Sequence, residues 1–481
     1  MNSFASFLDN RLFDGGSSEV FVTRQQAQAD LEALRDIIRD RHSYVAAVAY
    51  PYERAIGAMI GQLPEQVSVR NLALQIQKLV QHLGDSHAQV VDWMQGLPGG
   101  CSSFAIGVEN NLAFAYDPAT RRLLDAAHPF VSSIDGLPFF RWLERAGDIT
   151  SGPYASRSQR LARGLRLLRH VGYLRRELGL PDDPGITLEL CDAANRSSRT
   201  MTVPIAETRD LSDPLLPLSN ESGVRPGNIG YLRIYSQSDS ALAARIDALM
   251  APLRETDALI VDARQCGGGT RECLSALFPY FMMPEDGPYI HNVARLRAPA
   301  DMSQDMLIDL LKVDDKAMFF RTDPSLPADE KAALEALLAG FHPQWQVPEG
   351  DFTDWYFGVL RAVPGKPHYD RPVYVLMDWG AGSAGDIFLS TFKGWRNVTL
   401  VGSASNGRSG NSIPFPLPNS GIRVRLSTMA SFQKSGEMYD GFGIAPDLVM
   451  EARMSDWLGE TDTILDRVTT MARSGKPGAA G

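Results

Sequence analysis

The stretch that decides the fold is VYVLMDWGAGSAGDIFLSTF, residues 373–392, in which an apolar run leads through a turn of small residues into an amphipathic segment. The apolar run has the length of a buried strand, and the residues after the turn have helical spacing. Ser383 lies at the amino end of that predicted helix. Such a turn exposes a hydroxyl and aims backbone N–H groups at an oxyanion, so Ser383 is a candidate nucleophile.

Two other kinds of site share the glycines of this turn. Gly380, Gly382 and Gly385 spell GxGxxG, and residues 381–385 nearly spell the GxSxG nucleophile elbow. A dinucleotide site requires an acidic residue after the next strand, and NVTLVGSASNGR has none. An α/β-hydrolase requires a catalytic histidine after the serine, and the last histidine is His368. Both sites are excluded, and a purely steric role for the small residues remains the alternative.

The region around 373–392 belongs to a pattern in which strands alternate with helices from residue 228 onward. This alternation predicts a sheet with crossover helices. The predicted strands are NIGYLRIYS, ALIVDARQ, RPVYVLMD, NVTLVG and IRVRLST. Residues 284–370 interrupt the alternation with one predicted helix, PADEKAALEALLAG, and are expected to form an insertion or a lid.

The stretch ALIVDARQCGGGTRECL repeats the order of strand, glycine turn and helix. Consecutive glycines allow a close approach of backbone to ligand, so the Gly268 amide is a candidate oxyanion donor. The alternative is an ordinary turn in which Asp262 and Arg264 form a local ion pair.

A base and an acid are available elsewhere in the chain. LVQHLGDSHAQV places Ser86 and His87 after a helix, although a single histidine is more often structural than catalytic. EMYDGFGIAPDL contains Asp440 and Glu437, either of which is able to accept an imidazole N–H, and its Asp-Gly pair is also a turn signal.

The chain before residue 206 contains two patterns. Residues 1–95 predict a helical domain that carries His87, with apolar residues at three-to-four spacing in three segments. Residues 96–205 predict a β-rich module of short runs, among them SFAIGVE, LAFAYD, FVSSIDGLPFFRWL, ITLELCD and RTMTVPI. A predicted helix, RSQRLARGLRLLRHVGYLRREL, interrupts this module, and its regularly spaced arginines favour a solvated face over an anionic-partner site.

The order of these motifs resembles the serine peptidase family that contains the tail-specific, or carboxy-terminal processing, proteases and the core domain of tricorn protease. LIVDARQCGGG resembles its Asp-x-Arg-x-x-x-Gly-Gly block, and PVYVLMDWGAGSAGDIF its Ser-Ala-small-Asp/Glu nucleophile block. LVGSASNGRSG and GFGIAPDL resemble its closing blocks, and HLGDSHAQV its Leu-x-Asp-x-His element. The resemblance extends from about residue 30 to residue 449.

One branch of that family uses a Ser-Lys dyad, and Arg408 stands at the position of its lysine. Arginine stays protonated and is not a general base, so the dyad does not carry over. The resemblance to the tricorn-like branch implies a triad that works through an acyl-enzyme. The implied residues are the nucleophile Ser383, the base His87 after Ser86, the acid Asp440 with Glu437 as its alternative, and the oxyanion-hole amides of Gly268 and Ala384.

The resemblance also implies an α/β fold. Residues 206–455 are expected to form a crotonase-like ββα core, and residues 96–205 a divergent PDZ-like β module that binds peptide ends by strand addition. SSIDGLPFFRWL matches the family's Ile-Asn/Asp-Gly-small-Pro element. Residues 456–481 are expected to form a carboxy-terminal helix and a flexible tail.

Composition excludes several other classes of protein. With 44% hydrophobic and 22% charged residues the chain is expected to fold, and a net charge of −10 argues against nucleic acid as a partner. Apolar runs are too short to span a membrane, and the amino terminus has no export signal, so a cytoplasmic protein is expected. The four cysteines show no zinc or disulfide pattern, and no cofactor or metal is indicated.

The first functional hypothesis is therefore a serine peptidase acting on peptides or unfolded polypeptides. Two alternatives stay open: a non-catalytic binder of peptides or hydrophobic ligands on the same fold, and a serine hydrolase of small esters or amides. A homo-oligomer that restricts access to the active site is a further hypothesis. Light scattering that gives a monomer near 52.8 kDa would remove it.

Overall fold

The computed structural model describes residues 19–206, 215–298, 303, 306 and 318–474. The chain divides into two compact units. The first unit contains the residues before Leu215 together with Ser412–Ser427. The second contains Leu215–Asn411 and the residues from Thr428 onward. The beginning of the predicted helical domain, residues 1–18, and the predicted tail after Ser474 lie outside the described residues.

Helices occur in both units. The described α-helices are α1 (Arg24–Arg41), α2 (Tyr52–Gly61), α3 (Val69–Val80), α4 (Phe139–Ser151), α5 (Arg157–Leu167), α6 (Val171–Leu178), α7 (Ser240–Met250), α8 (Glu272–Leu277), α9 (Ala328–Ala339), α10 (Ala384–Phe392), α11 (Met454–Trp457) and α12 (Thr463–Ser474). Short 3-10 helices are Gln81–Leu83, Trp93–Gly96, Phe278–Phe281 and Pro284–Asp286.

The described strands form five sheets. They are β1 (Phe21–Thr23), β2 (Gln66–Ser68), β3 (Gln89–Val90), β4 (Cys101–Ser102), β5 (Ala105–Glu109), β6 (Leu112–Asp117), β7 (Arg122–Leu123), β8 (Phe130–Ile134), β9 (Leu137–Pro138), β10 (Gly185–Cys191), β11 (Ser198–Ala206), β12 (Gly223–Arg225), β13 (Ile229–Arg233), β14 (Ala258–Asp262), β15 (Tyr289–Leu296), β16 (Met318–Phe320), β17 (Tyr356–Leu360), β18 (Val373–Met377), β19 (Val398–Gly402), β20 (Ser412–Pro416), β21 (Arg423–Ser427), β22 (Met429–Phe432) and β23 (Leu448–Val449).

The first unit begins with α1, α2 and α3, which confirm the predicted helical pattern. Thr23 caps α1, because its hydroxyl accepts from the Gln26 N–H while the Gln26 side chain accepts from the Thr23 N–H. The antiparallel sheet β4-β11-β10-β8-β6-β5 follows, and its apolar faces share one core with these helices. FFRWL, predicted within a strand region, begins α4 instead. Its helical spacing buries Trp142, Ala146 and Ile149 in that core.

The predicted arginine-rich helix is two helices, α5 and α6. The expectation of a solvated face is correct for Arg157 and Arg166, which are exposed. It is wrong for Arg169, which is buried. Arg163 is half-buried, and its guanidinium donates a hydrogen bond to the Ser86 carbonyl at 3.0 Å. Some of these arginines therefore lie at the surface of the first unit, and others lie partly or fully in its interior.

Residues 412–427 complete the first unit although they come late in the sequence. IRVRLST, predicted within the alternating pattern, forms β21, which pairs antiparallel with β20 and with β3. Buried Asp30 of α1 accepts the backbone N–H groups of Asn419 and Ser420, each at 2.8 Å. The alternation of strands and helices did not predict this return of the chain.

The second unit is built on the sheet β12-β13-β14-β18-β19-β23, in which β13 to β23 are parallel and β12 is antiparallel. Every residue of β13, β14 and β18 is buried, as expected of a parallel sheet covered on both faces. One face packs against α7, α8 and α10, and the other against α12. This arrangement confirms the predicted α/β alternation between residues 228 and 402.

The predicted insertion contains more than its helix. α9 confirms PADEKAALEALLAG, and β15, β16 and β17 form an antiparallel sheet in the order β16-β17-β15-β22. None of the helices among the described residues combines the length and apolar character that crossing a bilayer requires.

The parallel sheet positions two turns side by side. β14 and β18 are neighbours, so the turns that follow them, which contain Gly268 and Ser383, start from the same edge of the sheet. The carboxyl edge of a parallel sheet is the usual location of ligand sites in this type of fold.

Candidate active site

Ser383 occupies a strained turn at the N-cap of α10, with φ 58° and ψ −120°. A residue with a side chain rarely adopts this backbone conformation, and holding it costs roughly 1–3 kcal/mol. The small neighbours follow from close packing: a Cβ at Gly385 would lie 2.4 Å from the Cys266 carbonyl oxygen. A Cβ at Gly382 would lie 2.8 Å from Arg408 Nε. The turn therefore holds the half-buried Ser383 in a fixed orientation.

Gly268 lies directly against this turn. Its φ is 108°, and a Cβ there would lie 2.7 Å from both the Gly382 carbonyl oxygen and Ser383 Cβ. Ala384 is the first residue of α10, so its N–H has no acceptor within the helix and lies at the positive end of the helix dipole. Two backbone amides thus flank the candidate nucleophile.

The Cys266 thiol is buried two residues before Gly268. Burial raises the pKa of this thiol to about 11, so it is neutral near pH 7.

Buried carboxylates anchor the glycine turn. The predicted ion pair between Asp262 and Arg264 is present at 2.6 Å, and Arg264 also pairs at 2.6 Å with Asp462, the residue before α12. Asp378 Oδ1 accepts the Gln265 N–H at 2.7 Å, which ties the end of β18 to the turn after β14. Burial raises the pKa of Asp378.

Asp386 links the Ser383 turn to the loop at residues 405–408. Its Oδ2 accepts the N–H groups of Ser383 at 2.8 Å and Arg408 at 2.9 Å. Its Oδ1 accepts the Gly407 N–H at 2.9 Å and the Ser405 hydroxyl. Burial raises the pKa of Asp386, while these hydrogen bonds act to lower it. The Asp386 carboxylate thus holds the Ser383 turn and the loop at residues 405–408 together.

Of the two candidate acids, Asp440 is buried and Glu437 is exposed. Asp440 Oδ2 accepts both the N–H and the hydroxyl of Ser409, each at 3.1 Å. Ser409 follows Arg408 in the loop that Asp386 holds. The Glu437 carboxylate instead accepts the Ser435 hydroxyl at 3.4 Å at the surface. The second unit therefore fixes Asp440 far more firmly than Glu437.

His87 lies in the first unit, in a loop before β3 that we call the histidine loop (residues 85–88). Asp85 Oδ1 accepts the His87 N–H at 2.8 Å, and the Ser427 hydroxyl lies 3.3 Å from His87 Nδ1. His42 Nε2 lies 3.2 Å from Asp85 Oδ2. Burial acts to raise the pKa of Asp85, but the hydrogen bond and charge of His42 outweigh it and hold that pKa well below its ordinary value.

A comparison with known protein families finds a match to part of the chain. Residues 228–450 match the model of peptidase family S41 and are therefore similar to that family. The matched region includes Gly268, Ser383 and Asp440, whereas His87 precedes it in the sequence.

Two curated relatives align with parts of the chain. The carboxy-terminal-processing protease of Bartonella bacilliformis is 33% identical over 82 residues, which are 17% of this chain and 19% of the relative. A protein of Chlamydia pneumoniae is 23% identical over 296 residues, which cover 54% of this chain and 46% of the relative. The chain thus spans less than half the length of the curated relatives it matches.

A solved structure resembles the whole fold. The structure of mature CPAF complexed with lactacystin superposes with a TM-score of 0.65 at 14% sequence identity, covering 94% of this chain and 99% of that chain. The likeness agrees with a mixed α/β fold that contains several sheets.

The two units contain different parts of the predicted site. In the second unit, the structure brings Ser383, Ala384 and Gly268 together and holds Asp440 against Ser409. In the first unit, Ser86 and His87 occupy one loop, where Arg163 binds the Ser86 carbonyl.

The sequence analysis missed four supporting residues. Asp85 and Asp386 are the acidic positions of the Leu-x-Asp-x-His and nucleophile motifs, so the motifs contained a signal for them. No local pattern indicated Ser409 or Ser427, because their partners are distant in the sequence.

Proposed function

We propose that the protein is a serine peptidase that hydrolyses peptide bonds in peptides or unfolded polypeptides through Ser383, His87 and Asp440. The observation that supports this proposal best is the strained Ser383 turn against Gly268 at the start of α10, within the region that matches peptidase family S41. A positive φ at a serine is costly, and such strain is typical of residues held for catalysis.

In the proposed reaction, His87 Nε2 takes the proton of the Ser383 hydroxyl while Oγ attacks the scissile carbonyl carbon. The tetrahedral oxyanion collapses to an acyl-enzyme, and the imidazolium protonates the leaving amine. Water, deprotonated by His87, then attacks the ester and releases the carboxylate and Ser383. Ser86 precedes the base and is proposed to help position it.

The amides of Ala384 and Gly268 are the proposed oxyanion donors. Ala384 contributes a helix-terminal N–H, which is pre-oriented and favours negative charge. Gly268 contributes the second N–H, from a turn that lies directly against Ser383.

Asp440 is the proposed acid rather than Glu437. A carboxylate that orients an imidazole acts best when it is itself held and shielded from water. Asp440 is buried and receives two hydrogen bonds from Ser409, whereas Glu437 is exposed. Asp440 has a shorter side chain than Glu437, and its fixed position compensates for the shorter reach.

The finer features of the fold belong to the same proposal. We propose a crotonase-like core in the second unit and a PDZ-like role for residues 96–205, where an edge strand such as β5 would accept a peptide end by strand addition. A cytoplasmic location and a homo-oligomer stay predictions.

The test combines a fluorophosphonate probe with a mixture of diverse peptides read by mass spectrometry. The variants are Ser383→Ala and His87→Ala, and Ser435→Ala is the control because it removes an exposed hydroxyl from the same unit. We expect wild type and the control to label and to cleave, and both active-site variants to lose labelling and cleavage.

Two results would contradict the proposal. Labelling of Ser383 without peptide cleavage would identify a hydrolase of small esters or amides. Folded wild type that neither labels nor cleaves would favour a non-catalytic binder of peptides or hydrophobic ligands.

A further inference from the structure

Ser427 is a buried residue at the end of β21, beside the histidine loop. β21 pairs with β3, which begins two residues after His87. The Ser427 carbonyl accepts the N–H and the hydroxyl of Ser43, at 2.9 and 3.1 Å. Backbone pairing and these two hydrogen bonds fix the position of the Ser427 side chain.

The Asp85 carboxylate accepts hydrogen bonds from both Ser427 and His87. Its Oδ2 accepts the Ser427 N–H at 2.8 Å and lies 3.2 Å from His42 Nε2. Its Oδ1 accepts the Ser427 hydroxyl and the His87 N–H, both at 2.8 Å. Such an arrangement suits an ionised carboxylate, which only accepts hydrogen bonds.

The direction of these hydrogen bonds determines the tautomer of His87. A hydroxyl has one hydrogen, and Ser427 donates it to Asp85, so toward His87 the Ser427 oxygen acts as an acceptor. His87 Nδ1, 3.3 Å from that oxygen, must then carry the ring hydrogen. Neutral imidazole carries only one ring hydrogen, so Nε2 is unprotonated.

We infer that Asp85 and Ser427 are positioning residues that hold His87 in the tautomer with Nδ1 protonated and Nε2 unprotonated. The catalytic meaning of this inference rests on the proposed function, in which Nε2 deprotonates Ser383. Asp85, His87 and Ser427 all lie within the first unit, and Ser427 belongs to its late segment, residues 412–427.

The test measures the tautomer directly in the full chain labelled with ¹⁵N-histidine, by long-range ¹H–¹⁵N correlation at a pH where the imidazole is neutral. His87→Gln assigns the His87 signals. We expect the wild type to show a protonated Nδ1 and a bare Nε2, and Ser427→Ala to show a mixture of both tautomers. Ser427→Thr, which keeps the hydroxyl, should restore the wild-type pattern.

Ser420→Ala is the matched control. Ser420 is also a buried serine on residues 412–427 and binds a buried aspartate, Asp30, through its backbone. It should leave the His87 tautomer unchanged. A wild type with Nε2 protonated would overturn the inference, and so would a Ser427→Ala variant with the wild-type pattern.

Peptide hydrolysis supplies the second readout. For Ser427→Ala we expect kcat to fall about tenfold to a hundredfold with KM unchanged, because orientation of the base contributes part of general-base catalysis. Unchanged kcat in Ser427→Ala would show that the positioning of His87 by Ser427 does not contribute to catalysis. If wild type does not cleave peptides but the tautomer depends on Ser427, the proposed function fails and the positioning inference stands.

Discussion

The turn around Ser383 and the loop around His87 are stabilised over very different distances along the chain. The Ser383 N–H binds Asp386, three residues away, and Asp386 reaches Arg408, 22 residues away. The Asp85 carboxylate at the histidine loop binds Ser427, 342 residues away. The Ser383 turn thus stores backbone strain and has a supporting carboxylate close in sequence, whereas the carboxylate of the histidine loop binds a residue more than 300 positions away.

This difference predicts different responses to mutation. Changes near Ser383 should mainly alter strain and chemistry at the turn itself, because the supporting carboxylate of Asp386 is only three residues away. Changes near His87 should alter stability together with orientation of the base, because a single buried carboxylate joins several parts of the first unit.

Gly268→Ala should have the largest effect. The new Cβ would lie 2.7 Å from the Gly382 carbonyl oxygen and from Ser383 Cβ, at a φ that disfavours side chains. We expect kcat for peptide hydrolysis to fall by about 10²–10³-fold, because the clash would displace the residue 268 N–H from its place as an oxyanion donor. Gly267→Ala is the control, since its Cβ would meet nothing within 4 Å. Equal kcat values for the two variants would show that the Gly268 turn is not part of the site.

Asp85→Asn should come next. It replaces a buried carboxylate that accepts three hydrogen bonds, so we expect the free energy of unfolding, measured in urea, to fall by about 3 kcal/mol. Asp30→Asn should lose a comparable amount, since Asp30 also joins an early part of the first unit, α1, to residues 412–427. Only Asp85→Asn should also lower kcat. A loss of kcat in both variants would refute a specific role for Asp85.

As the pH falls, the contributions of Asp85 and Asp386 to the free energy of unfolding should change in opposite directions. The pKa of Asp85 is lowered, so its stabilisation is full above the unfolded-state pKa of about 3.9 and is lost as the pH falls below it. The pKa of Asp386 is raised by burial, so its favourable contribution is present below about 3.9 and is lost as the pH rises through the folded-state pKa.

We therefore expect opposite trends in unfolding free energy from about pH 6 to about pH 3. The advantage of wild type over Asp85→Asn should shrink as the pH falls, and the difference between wild type and Asp386→Asn should move in favour of wild type. Parallel trends in chemical denaturation would contradict the assignment of the two buried carboxylates.

The smallest expected effect concerns the strain at Ser383. Ser383→Gly and Ser383→Ala both remove the nucleophile, but only glycine adopts φ 58° and ψ −120° without strain. After allowance for the greater freedom of glycine in the unfolded chain, we expect Ser383→Gly to be more stable by about 1 kcal/mol. A calorimetric comparison in which alanine is equally stable would show that the turn is relaxed.

Much of the fold follows from local patterns. Helical spacing predicted α1 to α3 and α9, and the run of apolar residues at 373–377 predicted β18. The return of residues 412–427 to the first unit did not follow, because IRVRLST has the same apolar character in a parallel or an antiparallel sheet. The break between α5 and α6 was missed because the arginine spacing continues across it.

The sequence by itself determined the Ser383 turn, because small residues between a buried strand and a helix leave few backbone paths and place the serine at the helix end. The tertiary structure alone decided what surrounds His87. Which hydroxyl contacts Nδ1 and which carboxylate accepts that hydroxyl depend on chain segments more than 300 residues apart, and no local pattern encodes such a contact. Hydrogen bonds between distant segments form only when the chain is folded, so their geometry is a property of the packed unit.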